Sequence, residues 1–252
     1  MAGHSKWHNI KHRKAAVDKK RGKLWSKCSR AIIAAARVGG ADPACNLSLR
    51  YAIDEARYAN MPRDTIERAI KKGAGEIGGE NWESVRYEGY GPGGVAILID
   101  ALTDNRTRTV GDLRLAFGKF GGNLGSAGSV GYLFEPRGQI VISGEGASED
   151  RVMTLAIDAG ADDIEAPESP DGAWIVTTSP AGFHAVRDAM EAGGLKVEEA
   201  ALVMVPTTRV EVRGEDARRV VSLIDAVEDL DDVQKVYANF DVPAGELADL
   251  AG

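Results

Sequence analysis

The sequence has few of the residues on which disulfide frameworks, metal sites and many hydrolytic enzymes depend. Only two cysteines, Cys28 and Cys45, occur in 252 residues, which is too few for a disulfide framework or a zinc set. The longest apolar run, Ala31 to Ala36, is far shorter than the roughly 20 residues of a membrane span. No apolar stretch of the secretory type opens the chain. We therefore expect a cytoplasmic protein with reduced thiols.

Histidine is also scarce. Three of the four histidines, His4, His8 and His12, lie near the start, and His184 is the fourth. Spaced by four, adjacent members of the first three could share a metal ion on a helix, but the dense positive charge around them repels a cation. No Gly-x-Ser-x-Gly motif accompanies His184, so we predict no catalytic residues, no metal, no cofactor and no small-molecule substrate. A hydrolase that uses the glycine-rich loops stays open as the alternative.

Positive charge is concentrated at one end of the chain. Eleven lysines and arginines occur in the first 37 residues, where Asp18 is the only acid, so this segment carries a net charge of +10. The other 215 residues carry −17, because the chain as a whole carries −7. A cationic arm on an acidic body favours a polyanionic partner. A solvated tail and a mitochondrial transit peptide are the alternatives, although lysine outnumbers arginine and the segment continues into a helical pattern.

The residue types in the arm fit contact with nucleic acid. Lysine and arginine release counterions from phosphates, and tryptophan can stack on an unpaired base. No Cys/His pairs or heptads follow, so neither a zinc finger nor a basic zipper is predicted. The arm thus predicts affinity for phosphate without sequence readout. The predicted contact residues are Lys6, Trp7, Lys11, Arg13, Lys14, Lys19, Lys20, Arg21, Lys23, Lys27, Arg30, Arg106 and Arg108.

Apolar spacing predicts three short helices after the arm. Apolar residues recur at steps of three and four from Leu24 until Gly39-Gly40 stops the pattern. Asp42-Pro43 predicts an N-cap and first position for a second helix, which Asn60-Met61-Pro62 ends. A third helix ends at Gly73. Residues 1–73 are therefore predicted to be a basic arm and a helical domain.

Strand and helix patterns alternate beyond the glycine-rich segment 73–81. Residues 138–205 predict the order β-α-β-β-α-β, and the flanking pieces each predict β-α-β. The fold class predicted is α+β: an N-terminal three-helix domain followed by two ferredoxin-like α/β domains, one inserted in the other. The outer domain comprises 82–136 and 206–242, and the inserted one comprises 137–205. A single larger α/β sheet is the alternative.

Three loops could bind an anion. Glu88 to Gly94 comes before a strand, where a tight turn is favoured over a phosphate-binding loop. Residues 118–131 are rich in glycine but lack the Lys-Ser/Thr of a P-loop, so a flexible loop is predicted. Thr103 to Thr109 leaves a strand and enters a helix. There Arg106 and Arg108 could bind phosphate, or Asp104 or Asn105 could simply cap the helix.

Several long motifs resemble those of the YebC family, and they extend over essentially the whole chain. Departures are small: His8 stands where a small residue is usual, and Leu24-Trp25 replaces a more typical aliphatic-Phe pair. The resembling segments are Met1–Trp7, Asn9–Ala15, Asn60–Pro62, Ile66–Ile70, Tyr87–Gly94, Leu102–Arg106, Gly121–Gly125, Gly128–Val130, Tyr132–Glu135, Asp231–Gln234 and Asn239–Phe240.

The resemblance implies a three-domain fold and a cytoplasmic regulator of gene expression that is not an enzyme. Members are labelled as DNA-binding transcriptional regulators, and others act as translation factors, including bacterial ones on ribosomes stalled at proline runs. The expected partners are therefore DNA, ribosomal or transfer RNA, or the ribosome, with no membrane. The acidic body and the lack of an evident base-reading helix favour RNA, whereas the customary label favours DNA.

Overall fold

The protein has an α+β fold, as predicted, with helices first and sheets after them. The computed structural model describes residues 17–76, 82–167, 172–243 and 246. Within these ranges no helix is both long enough and apolar enough to cross a membrane.

The first part is a bundle of three helices, α1 (Val17–Gly39), α2 (Leu47–Tyr58) and α3 (Arg63–Gly73). Helix α1 begins seven residues before the predicted start at Leu24. Both other helices pack on α1, and their shared core includes Ile32, Leu49 and Ile66. At Gly73, an added Cβ would lie 2.6 Å from the Cβ of Ala36, so glycine is what allows α3 to approach α1 this closely.

The predicted cap of α2 at Asp42 is wrong, because Asn46 caps this helix. The Asn46 side chain accepts a hydrogen bond from the Leu49 N–H at 3.0 Å. Its amide donates to the carbonyl oxygens of Ala35 and Gly40, each at 2.8 Å. One buried side chain therefore ends α1 and begins α2, while Asp42 lies in the turn before it.

The described residues after the bundle form two four-stranded sheets and one two-stranded sheet, so the alternative of one larger sheet is wrong. Two 3₁₀ turns, Pro92–Gly94 and Gly131–Leu133, precede β2 and β4. The elements in chain order are β1 (Glu83–Tyr90), β2 (Ala96–Thr103), α4 (Arg106–Lys119), β3 (Asn123–Leu124), β4 (Phe134–Ser143), α5 (Glu149–Asp158), β5 (Asp163–Glu165), β6 (Ala173–Thr178), α6 (Phe183–Ala192), β7 (Val197–Pro206), β8 (Val210–Glu211), α7 (Gly214–Glu228), β9 (Val233–Ala238) and β10 (Phe240–Asp241).

The outer sheet has the order β3-β1-β2-β9, with antiparallel neighbours. Helices α4 and α7 cover one face, where Ile97, Phe117 and Leu223 belong to one buried core. Its strands differ in two ways from the predicted ones. The sequence pattern did not predict β1, and β8 pairs with β10 outside this sheet.

The inserted sheet has the order β5-β6-β4-β7, again antiparallel throughout. With the chain order β-α-β-β-α-β, this is the ferredoxin-like arrangement. Strand β4 runs without a break from Phe134 to Ser143, across residues 136 and 137, where the predicted outer and inserted domains meet. Pro136 is tolerated there because at that point β4 pairs only with β7, so its missing N–H breaks no bond to β6.

All three parts of the chain meet at the ammonium group of Lys235. This side chain on β9 forms an ion pair with Glu55 of α2 and donates to the Leu202 carbonyl of β7 at 3.4 Å. Burial alone would lower the pKa of Lys235, but the Glu55 carboxylate, together with Tyr237 and Glu199, outweighs it, and the pKa lies above its usual value. Helix α2 is also joined to α6 by an ion pair between Asp54 and Arg187 at 2.5 Å.

A double-mutant cycle tests how strongly Lys235 ties the helical part to the body. With Lys235→Met and Glu55→Gln, singly and together, we expect a coupling free energy of about 1–3 kcal/mol. The control pair is Arg63 and Glu67 on α3, both largely exposed, for which we expect about 0.3–0.5 kcal/mol. The measurement is urea unfolding, and equal coupling for the two pairs would contradict this role of Lys235.

Candidate nucleic-acid interface

The structure describes only part of the predicted nucleic-acid contact. Lys6, Trp7, Lys11, Arg13 and Lys14 lie outside the described residues, as do the side chains of Lys19, Lys20 and Arg21. The contact residues whose side chains are described are Lys23, Lys27, Arg30, Arg106 and Arg108. Each of these five has an intramolecular partner, so their role toward nucleic acid stays a prediction.

Three cations of α1 lie against the turn between α7 and β9. The Lys23 ammonium contacts the carboxylates of Asp229 at 3.4 Å and Asp231 at 3.8 Å. Lys27 donates to the Glu228 carbonyl at 2.7 Å, and Arg30 donates to the Asp231 carbonyl. Carbonyl groups at the end of α7 carry partial negative charge, which favours cations there. Sequence patterns placed Lys27 and Arg30 on the first predicted helix and Lys23 in the arm before it, but they could not show that the three would face this turn.

The three cations of α1 differ in how deeply they are buried. Burial lowers the pKa of Lys27 to about 8, because desolvation outweighs the nearby Glu228 carboxylate. Lys23 is more exposed, with 37% of its side chain accessible. Arg30 also lies 5.7 Å from the centre of the Trp82 ring, in a cation–π contact with the start of the body. Lys27 and Arg30 are thus part of the packing between domains, whereas Lys23 lies at its edge.

The start of α4 is a capped helix end and not an open anion site. Asn105 accepts a hydrogen bond from the Arg108 N–H at 3.1 Å. Arg106 forms an ion pair with Glu83 at 2.6 Å. Arg108 bridges Asp104 at 2.6 Å and Asp232 at 2.8 Å. Of the two interpretations of this loop, capping describes its geometry.

Asp232 is the centre of this network. Its carboxylate accepts from the Thr109 hydroxyl at 2.8 Å and the Thr103 hydroxyl at 3.2 Å, in addition to Arg108. Burial would raise the pKa of Asp232, but these donors and the Arg108 charge outweigh it, and the pKa lies below its usual value. The Asp232 carboxylate is thus the anion that Arg108 binds beside the start of α4.

The glycine-rich loop after α4 is filled in the same way. The Glu88 carboxylate accepts from the N–H groups of Gly128, Val130 and Gly131 at 2.8, 2.6 and 2.7 Å. Burial would raise the pKa of Glu88, but these three hydrogen bonds outweigh it and the pKa is lowered. The loop is thus an anion-binding nest whose anion is the Glu88 carboxylate.

The inserted sheet offers no stacking platform on its outer face. Proteins with this topology bind single-stranded RNA through aromatic side chains on the two central strands. Here Trp174 belongs to the inner core, and alternation along β6 places Ile175 on the outer face, opposite Val141 of β4. Among the residues that the structure describes, no three His, Cys, Asp or Glu side chains gather closely enough to hold a metal ion.

Replacing the two arginines of α4 separates a structural role from an exposed one. Arg108→Ala removes the nearer of two cations from Asp232, whose side chain is only 12% accessible, and leaves Arg30 at 3.9 Å. We expect the melting temperature to fall by about 3–5 °C. Arg106→Ala is the matched control, because Arg106 and its partner Glu83 are mostly exposed; a change of at most about 1 °C is expected. Equal effects in thermal unfolding would contradict the network.

Glu88→Gln tests the nest through its pH dependence. At pH 7 we expect a loss of about 2 kcal/mol in the free energy of unfolding, because the carboxylate accepts charge-assisted hydrogen bonds. The folded-state pKa of Glu88 is lowered, so this stabilisation is present above the ordinary pKa of the carboxyl group. It is lost as pH falls through the lowered pKa. Chemical unfolding at several pH values checks this; a difference that persists in acid would contradict it.

Sequence comparison places the whole chain in one family. Residues 5–76 match the model described as "TACO1/YebC protein N-terminal domain", and residues 82–240 match "TACO1/YebC second and third domain". A "probable transcriptional regulatory protein" of Methylococcus capsulatus is 56% identical over 250 residues, which cover 99% of this chain and 100% of the relative. One of the same description from Syntrophotalea carbinolica is 48% identical and is covered from end to end, as is this chain.

A solved structure agrees with the sequence matches. The crystal structure of a conserved hypothetical protein from Aquifex aeolicus is 47% identical and superposes with a TM-score of 0.82, over 91% of this chain and 94% of that one. The resemblance found in the motifs is therefore confirmed. With both family models matched in succession and relatives similar over their full length, the chain belongs to the TACO1/YebC family.

Proposed function

We propose that this protein is a regulator of gene expression that binds nucleic acid through its basic N-terminal arm. The observation that carries the proposal is the charge asymmetry, +10 in the first 37 residues against −17 in the rest. A single basic segment on an acidic body directs a polyanion to that segment and repels it elsewhere. The names of the relatives, which are regulatory and not enzymatic, support regulation as the purpose of the contact.

The partners of the described cations limit the proposed phosphate-binding residues to those that precede the part of α1 packed on the body. Lys27 and Arg30 are committed to the α7–β9 turn, and Arg108 to Asp232. We therefore assign phosphate contact to the arm cations up to Lys23, and only a minor part to Arg106. This set binds phosphates and does not read bases.

Transcription and translation are the two settings that this contact would serve. The relatives' names favour DNA, and the family resemblance also implies ribosome-associated factors. The acidic body disfavours wrapping by duplex DNA, and it would fit beside basic ribosomal proteins. We rank RNA and the ribosome first on these physical grounds, with a promoter-binding regulator as the second candidate.

Neutralising the arm tests the proposal. Changing Lys11, Arg13, Lys14, Lys19, Lys20 and Arg21 to Gln should flatten the dependence of nucleic-acid affinity on salt, lowering the slope on duplex DNA by about 5 if all six contact phosphates. The same variant should no longer co-sediment with ribosomes. The control removes six exposed cations of the body: Arg114, Lys196, Arg209, Arg213, Arg218 and Arg219.

The outcomes separate the candidates. An unchanged salt slope in the arm variant, or an equal change in the control, would exclude the arm as the binding element. Co-sedimentation of the unmodified protein with ribosomes supports the translation setting. Tight binding to one promoter fragment without co-sedimentation would reverse the ranking in favour of transcription.

A further inference from the structure

The turn between α7 and β9 carries unusual negative charge next to the helix that bears the arm. Asp229 and Asp231 have 80% and 77% of their side chains accessible. They are followed by the nearly buried Asp232 and lie beside the carbonyl end of α7, which adds partial negative charge. Lys23 is the first described cation of the arm side of α1 to meet them.

We propose that this acidic turn is an internal substitute for phosphate, which competes with nucleic acid for the Lys23 ammonium at the start of α1. The inference rests on the proposed function, since it needs a nucleic-acid ligand to compete with. It adds a regulatory contact that holds Lys23, at the C-terminal end of the basic arm, against the body when no polyanion is bound.

The chemistry of the contact makes an exchange possible. Lysine binds carboxylate and phosphate oxygens in the same way, as a compact cation that donates from its ammonium group. The two carboxylates on Lys23 are exposed, so a phosphate group can reach the ammonium from solvent. An exposed ion pair of this kind contributes little to stability, and breaking it in favour of phosphate costs little.

The neighbouring contacts define where the exchange stops. Like Lys23, Lys27 and Arg30 donate to backbone carbonyls of the turn. The exposed carboxylates of the turn form their ion pairs with Lys23. Helix α2 stays attached to the body through Glu55 and Asp54, on Lys235 and Arg187. Competition therefore concerns the first turns of α1 and the arm before them, and the helical domain stays docked.

Neutralising the turn should strengthen nucleic-acid binding. The probes are a labelled uridine oligonucleotide and a DNA duplex of mixed sequence, each about 20 nucleotides long. With D229N and D231N together, we expect affinity at physiological salt to rise about twofold to tenfold. The control is E215Q with D216N, which removes the same two charges at the other end of α7. That end is about 20 Å away, more than two screening lengths of about 8 Å, so the expected change is below about 1.5-fold.

A second variant shows whether Lys23 is the contested cation. In a Lys23→Gln protein, the same two Asp→Asn changes should raise nucleic-acid affinity by no more than the control variant does. Two results would overturn the competition while leaving the proposed function intact. One is an undiminished gain in affinity from the Asp→Asn changes in the Lys23→Gln protein. The other is a gain in the protein with Lys23 present that is no larger than that of the control variant. If the unmodified protein binds neither probe, the proposed function fails and the competition fails with it. Circular dichroism of each variant verifies folding.

Discussion

The contact on which the arrangement of the chain depends is the Lys235 ammonium. It joins a helix of the first domain, a strand of the outer sheet and a strand of the inserted one through Glu55 and the Leu202 carbonyl. The partners of this ammonium group lie far from Lys235 in sequence, so the contact links three separate parts of the chain. The Asp54–Arg187 pair joins α2 to the body at a second point, and α2 in turn packs on α1, the helix that follows the arm.

A second theme is that the body satisfies its own anion-binding features. The glycine-rich nest holds Glu88, the start of α4 holds Asp232 through Arg108, and Lys23 faces Asp229. Each is a place where backbone N–H groups or cations could attract a phosphate. These carboxylates place negative charge at three sites of the body that could otherwise attract phosphate. The charge separation between the acidic body and the basic arm therefore extends to the individual anion-binding features of the body.

Sequence reasoning missed the elements whose evidence is tertiary. Strand β1 mixes charged and apolar residues and ends in a glycine-rich turn, so its pattern predicts no strand; it forms because β2 and β3 supply hydrogen-bond partners on either side. The pattern Asp42-Pro43 predicts a cap for α2, but Asn46 is the cap, because its bonds to Ala35 and Gly40 depend on how α1 ends. Glu88 was assigned to a turn because its three donors come from a loop about 40 residues away.

The sequence by itself determined what depends on short-range order and summed charge. Periodicity at three and four residues gave three helices, alternation and order gave an α+β fold with a ferredoxin-like insertion, and the charge count separated arm from body. Long motifs identified the family. Only the tertiary structure decided which cations remain available, because an ion pair such as Arg108–Asp232 spans 124 residues and its geometry follows from packing, which local spacing does not encode.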